Sequence, residues 1–192
     1  SVGTWELDPN KWPGDTFRQS TDFAREHGMR TLVWFEPERV TDPDNLAKNF
    51  GYNTDWAIRR EGVEAISNNI GNPDCLKWTT GRICKMLKEN KVEMYREDNN
   101  WNSATLWKHL DNLEGENRLG ITEAKFIAAH YKLWDDIIAC TLSYGGCGFV
   151  DSCASGGGRN DLESMRRGVP LLRSDSDRTS TALRLSMTSS FN

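Results

Sequence analysis

Short apolar runs alternate along the chain with longer segments whose apolar residues recur at helical spacing. That alternation predicts βαβ units around a parallel sheet. Residues 15–28 predict a helix with Phe17, Phe23 and Ala24 on its inner side, stopped at Gly28. Residues 30–35 read as a buried strand that runs into Glu36, Pro37 and Glu38. Asp42 followed by Pro43 predicts a capped helix as far as Phe50. Residues 64–70 form a weaker strand pattern with Asn68 and Asn69 at its end. Asn72-Pro73 starts another helix, with Leu76, Ile83 and Leu87 on its inner face. Residues 92–95 give the next strand, which leads into a polar run from Arg96 to Asn100.

Residues 101–121 read mostly as loop or short helix. Thr122 is the expected cap of a long helix to about Tyr144, with Ala124, Ile127, Tyr131, Trp134, Ile138 and Leu142 along its inner face. Residues 147–151 form a strand, Asn160 caps a further helix, and residues 170–173 make a last short strand before Ser174-Asp175. The pattern therefore holds five strands, at least four of them ending in polar clusters. A parallel barrel gathers its catalytic residues at such C-terminal strand ends, and a doubly wound sheet gives the same alternation. No linker, repeat or low-complexity stretch divides the 192 residues.

Charge narrows the partners. A formal net charge of −4 with no Lys/Arg stripe excludes the basic face that nucleic acid requires. No apolar run approaches the roughly 18 residues of a membrane span. No secretory signal opens the chain, and Ser1 reads as a cut in mid-domain. The five cysteines are odd in number and lack CxxC spacing, which disfavours a disulfide framework or a zinc site. They fit reduced thiols of a cytoplasmic protein, three of them in the core. Eight tryptophans are many for this length, and indoles either fill a core or stack on sugars.

The candidate chemistry lies at the strand ends. Asp98 follows one strand inside a five-residue polar run, and Asp175 follows another, with Asp177 close behind. Glycoside hydrolysis with retention needs two carboxyl groups about 5–5.5 Å apart, one on either side of the sugar. Strand ends of a barrel can hold such a pair, although acids there also serve metals, caps and ion pairs. Asp161 sits at a helix start and fits a role toward the helix dipole. Glu36 and Glu38 flank a proline at a third strand end, where a structural turn is as good a reading as a site. Gly156 to Gly158 could bring backbone N–H groups close to a phosphate or to a neutral ligand, but no Walker lysine accompanies them. Cys153 could act as a nucleophile, yet no histidine stands near it in sequence. His27, His109 and His130 lack metal-ligand spacing and read as structural or exposed.

Several segments carry a family resemblance. They are Val2-Gly-Thr-Trp-Glu-Leu-Asp8, Leu32-Val-Trp-Phe-Glu-Pro-Glu-Arg-Val40 and Tyr95-Arg-Glu-Asp-Asn-Asn100. Asn117-Arg-Leu-Gly-Ile-Thr-Glu123, Trp134-Asp135, the stretch from Asp151 through Cys153 and Arg159 to Glu163, and Pro170-Leu-Leu-Arg-Ser-Asp175 continue in the same order. In these the chain resembles glycoside hydrolase family 36, the α-galactosidase and α-N-acetylgalactosaminidase group. The resemblance implies a (β/α)₈ barrel of which about strands two to six are present, with residues 1–192 forming part of the catalytic domain. It implies a nucleophile at Asp98, after the fourth strand, and a general acid/base at Asp175, after the sixth. Trp34 matches a stacking tryptophan, and Cys153 and Gly156 match positions near the sugar's 2-substituent. Arg96 stands where many members carry a hydroxyl-binding lysine, and Asn100 and Arg159 complete the implied substrate contacts.

The implied activity is exo-acting, retaining cleavage of terminal α-galactosyl groups, with no metal or organic cofactor. The negative charge of Asp98 would raise the Asp175 pKa so that it starts protonated. The alternatives are an α-N-acetylgalactosaminidase or a non-catalytic sugar-binding remnant. The family's first strand, its last two strands and its flanking β-domains have no counterpart in these 192 residues. The chain alone is therefore expected to be inactive or poorly stable, and homo-oligomerisation is an expectation for the full-length protein only.

Overall fold

The computed structural model describes residues 2–154 and 157–172. Its parallel sheet is built from β1 (Leu32–Phe35), β5 (Met94–Glu97), β6 (Val150–Ser152) and β7 (Gly168–Val169), in that spatial order. Between β1 and β5 the chain makes β2 (Arg39–Val40), α2 (Pro43–Phe50), β3 (Ala57–Arg60), β4 (Val63–Asn68) and α3 (Pro73–Glu89). The helix α1 (Thr16–Glu26) precedes β1, and α4 (Ala104–Glu114) and α5 (Ile121–Leu142) separate β5 from β6. The short α6 (Leu162–Met165) lies between β6 and β7.

Period-two alternation divides the sheet's two faces. Phe35, Tyr95 and Val150 point into a core with Ile83 and Leu87 of α3 and Leu133 and Ile137 of α5. Trp34, Arg96 and Asp151 stand in register on the opposite face. The four parallel strands thus carry helices on one side and present polar and aromatic groups on the other. Close packing at the last strand depends on glycine. A Cβ on Gly168 would stand 2.5 Å from the carbonyl oxygen of Val150, its pairing partner. Gly168→Ala is expected to lower stability by about 1–3 kcal/mol, read from the denaturation midpoint, and to displace the segment that leads toward Asp175.

The strand expected at 64–70 does not join this sheet. It is β4, the centre of a separate antiparallel sheet in the order β2-β4-β3. Its hairpin with β3 turns through Glu61 and Gly62, with Gly62 at a φ of +74°. β1 consequently pairs directly with β5, and the parallel sheet holds four strands among the described residues rather than five. Asn68 turns inward instead of reaching a strand-end cluster. It donates to Pro37 O and Thr79 Oγ1 at 2.9 and 2.8 Å, and its Oδ1 accepts from Tyr52 and Cys75.

Helix starts follow the sequence where a side chain can cap. Asp42 and Asn72 both accept backbone N–H bonds at their predicted positions. Elsewhere the structure shifts the cap. Thr122 lies inside α5, whose first turn is held by Asp111 accepting from Gly120 N and Thr122 N. Asp161 rather than Asn160 caps α6, in a reciprocal capping box with Ser164. Residues 104–114 are a full helix, because Leu106, Trp107 and Leu110 pack against α5 and its neighbours. The inner face of α5 is also turned by about one position. Phe126, Leu133, Ile137 and Thr141 are buried, Trp134 is buried as expected, and Ile127 and Leu142 are exposed. Phe23 of α1 is likewise exposed. Two cysteines, Cys75 and Cys153, are buried, one fewer than expected, and all five are without a disulfide.

Candidate active site

Asp98 is the first residue past β5, and its backbone N–H donates to Phe35 O on the neighbouring strand. Its carboxylate sits among donors. Trp34 Nε1 and Asn100 Nδ2 reach Oδ2 at 3.1 and 2.9 Å, and the backbone N–H of Asn99 reaches Oδ1 at 2.8 Å. The Cys153 thiol adds a fourth hydrogen bond. Partial burial works to raise the Asp98 pKa, but the donors from Asn100, Trp34, Cys153 and Asn99 outweigh it and hold the carboxyl below its usual range. Asp98 is therefore held as an anion at neutral pH, half-buried at the end of the strand. Trp34 is 41% exposed, so an indole face remains open beside that carboxylate.

Arg96 lies on the same face as Trp34 and forms an ion pair with Asp151 on the adjacent strand. Asp151 also accepts the backbone N–H of Leu171 at 2.9 Å, which ties the guanidinium to the segment after β7. Trp34, Asn100 and Cys153 are thus brought together on Asp98, and Arg96 stands beside them. Gly156 and Asp175 lie outside the described residues. Arg159 is elsewhere: its guanidinium bonds both oxygens of Glu38 and the Ser103 hydroxyl. Glu36 bonds Arg39 and the backbone N–H of Asn100, so it supports the loop that holds Asp98.

Behind Asp98 lies a buried ionic network that sequence reasoning did not find. Glu97 points to the helix side, where Tyr95 Oη and Trp134 Nε1 each donate to Oε2 at 2.7 Å. His130 of α5 places Nδ1 3.1 Å from Glu97 Oε1 and 3.7 Å from Glu38 Oε1. Burial pushes the Glu97 carboxyl up, but the nearby His130 charge and the hydrogen bonds from Tyr95 and Trp134 outweigh it and lower its pKa. The available signals were the strand register, which turns Glu97 away from Asp98, and the helical phase that puts His130 with Trp134. Among the described residues, Glu38, Glu97 and His130 bring ligand-type atoms within 4.8 Å of one another. A metal there would share Glu38 with the Arg159 guanidinium, a donor set better suited to an ion-pair network. A cavity of about 300 Å³ adjoins the network and is lined in part by Glu38, His130, Tyr131 and Arg159.

Comparison with known proteins agrees with this arrangement. The melibiase family model matches residues 1–191. A bifunctional α-galactosidase/sucrose kinase of Mediterraneibacter gnavus is 23% identical over 167 residues, 84% of this chain and 16% of the relative. An α-galactosidase of Escherichia coli is 24% identical over 173 residues, 87% of this chain and 22% of the relative. The chain therefore spans between 16% and 22% of the length of the curated relatives. An α-galactosidase structure from Lactobacillus brevis aligns over 98% of this chain and 24% of its own, at 24% identity and a TM-score of 0.73. A family 36 α-galactosidase of Geobacillus stearothermophilus aligns over 98% of this chain and 25% of its own, at 20% identity and a TM-score of 0.70. These likenesses make the parallel sheet and its helices part of a (β/α)₈ barrel. The chain belongs to the melibiase family.

Proposed function

We propose that the protein to which this chain belongs hydrolyses terminal α-D-galactosides with retention, Asp98 acting as nucleophile and Asp175 as general acid/base. One observation carries the reading: an ionised strand-end carboxylate, ringed by Trp34, Asn100 and Cys153, beside an open indole face. In the first step an Asp98 oxygen attacks the anomeric carbon as its bond to the leaving oxygen breaks. Asp175 gives its proton to that oxygen. In the second step water attacks the same carbon, Asp175 takes the water's proton, and Asp98 leaves as a carboxylate. The indole of Trp34 covers the apolar face of the sugar and Arg96, fixed by Asp151, donates to its hydroxyls. Complexes of the G. stearothermophilus enzyme with raffinose and stachyose support an α-galactosyl oligosaccharide as substrate.

The test compares nitrophenyl α-galactoside with nitrophenyl α-N-acetylgalactosaminide on the full-length protein. The galactoside is expected to have a kcat/KM at least about tenfold higher, in line with the α-galactosidases that the chain resembles. A preference for the N-acetyl substrate would move the assignment to the other activity of the family.

A further inference from the structure

Glu97 ends β5 and Asp98 follows it, and the two acids face opposite ways, Glu97 into the helix layer and Asp98 onto the polar face. The residues on either side of Asp98 are both held from behind. Glu97 is fixed by Tyr95, Trp134 and the nearby His130, and its backbone carbonyl accepts the N–H of Cys153 at 2.8 Å. Asn99 donates from Nδ2 to Glu38 at 3.3 Å. Glu97 and Glu38 belong to neighbouring strand ends, are each 2% exposed, and bring oxygens within 4.8 Å of His130 and of each other. Two carboxylates that close, without water, repel unless a cation lies between them. Arg159 covers Glu38 from one side, and His130 is the group that stands between the two acids.

We propose that His130, as an imidazolium, is a positioning residue that clamps Glu97 and Glu38 and so fixes the strand end from which Asp98 acts, without touching the substrate. This rests on the reading of Asp98 as the nucleophile. Every charged neighbour bears on it. Glu97 faces the ring from β5, Glu38 from the end of β1, and Arg159 from the segment after β6. Glu123, Tyr131 and Asp161 share the adjoining cavity. Burial works to lower the His130 pKa, but Glu97 and Glu38 outweigh it against the opposing charge of Arg159, and the pKa is raised. A raised folded-state pKa gives a clamp complete below the free imidazole value of about 6.5, lost as pH climbs through the raised value.

The experiment uses the full-length protein with labelled histidine, His130→Gln, and the double variant Glu97→Gln/His130→Gln. Imidazole NMR gives the titration of His130, and kcat and KM for nitrophenyl α-galactoside are followed across pH. In the wild type, an alkaline fall in kcat is expected at the pH where His130 titrates. His130→Gln is expected to lose about tenfold in kcat with little change in KM, and to lack that alkaline step. The double variant is expected to recover much of the loss, since a neutral amide pair leaves no bare buried carboxylate. A His130→Gln protein with normal kcat and an unchanged alkaline limb overturns the clamp. So does an imidazole that titrates below the free value, or stoichiometric zinc that disappears with His130. A wild type inert toward α-galactosides overturns the glycosidase reading itself, whereas an active wild type with an unaffected variant overturns only the role of His130.

Discussion

In the full-length protein, Asp98→Gly is expected to lower kcat on an activated α-galactoside by on the order of 10⁴–10⁶-fold, the range seen when one member of a nucleophilic catalytic group is removed. Azide is expected to restore turnover, released as the β-galactosyl azide. Both expectations come from the geometry. Among the described residues no neighbouring acid stands ready to substitute, because Glu97 is turned into the helix layer and Asp151 is bound to Arg96. The glycine leaves a space still lined by the donors Trp34 Nε1, Asn100 Nδ2 and the Asn99 backbone N–H, which a small anion can fill. Rescue with inverted linkage at the anomeric carbon identifies Asp98 as the attacking group. Normal turnover by Asp98→Gly would remove the nucleophile assignment. Lost turnover without rescue, accompanied by a lower melting temperature, would reduce Asp98 to a structural role.

The second large effect is on stability. Arg159→Ala is expected to cost about 3 kcal/mol, the scale of breaking one side of a buried ion pair. That corresponds to a fall of roughly 5–10 °C in the melting transition. Glu38 is 2% exposed and, among the described residues, its side chain would then face Asn99 and the more distant His130. Arg159→Lys should lose about half as much, since an ammonium keeps the charge but not the paired N–H bonds to Glu38. Glu38→Gln in the Arg159→Ala background should recover part of the loss, a coupling that a double-mutant cycle reads directly. The same network makes stability fall in acid. Glu97 has a lowered folded-state pKa, so its contribution is complete above the ordinary carboxylate value of about 4.3 and is lost as pH falls through the folded value. A variant with altered KM and unchanged stability would instead return Arg159 to the substrate contacts that the sequence suggested.

The parts of this protein legible in the sequence are those that rest on local chemistry. Asp42-Pro43 and Asn72-Pro73 announced α2 and α3, because a side-chain cap and a proline with no N–H to lose act within one turn of chain. The strand patterns at 30–35 and 92–95 were visible, the second shifted in the structure to Met94–Glu97, and Asp98, Trp34, Asn100 and Cys153 followed from motif resemblance. Tertiary structure decided the rest. Val63–Asn68 has strand character either way. Only its hairpin through Gly62 and the direct pairing of β1 with β5 exclude it from the parallel sheet, since hydrogen-bond partners are not written in a strand's own residues. The buried face of α5 was misread by one position, because its apolar residues fill more than one stripe and the facing β5 and α3 choose among them. Asp111 caps α5 from another helix. Glu38, Glu97, His130 and Arg159 are far apart in the chain, and only the fold brings their charges together where water cannot screen them. The sequence by itself determined which residues can cap, pair or carry a negative charge; the tertiary structure decided which of those charges meet, because strand register and helix phase aim side chains that chain distance leaves unrelated.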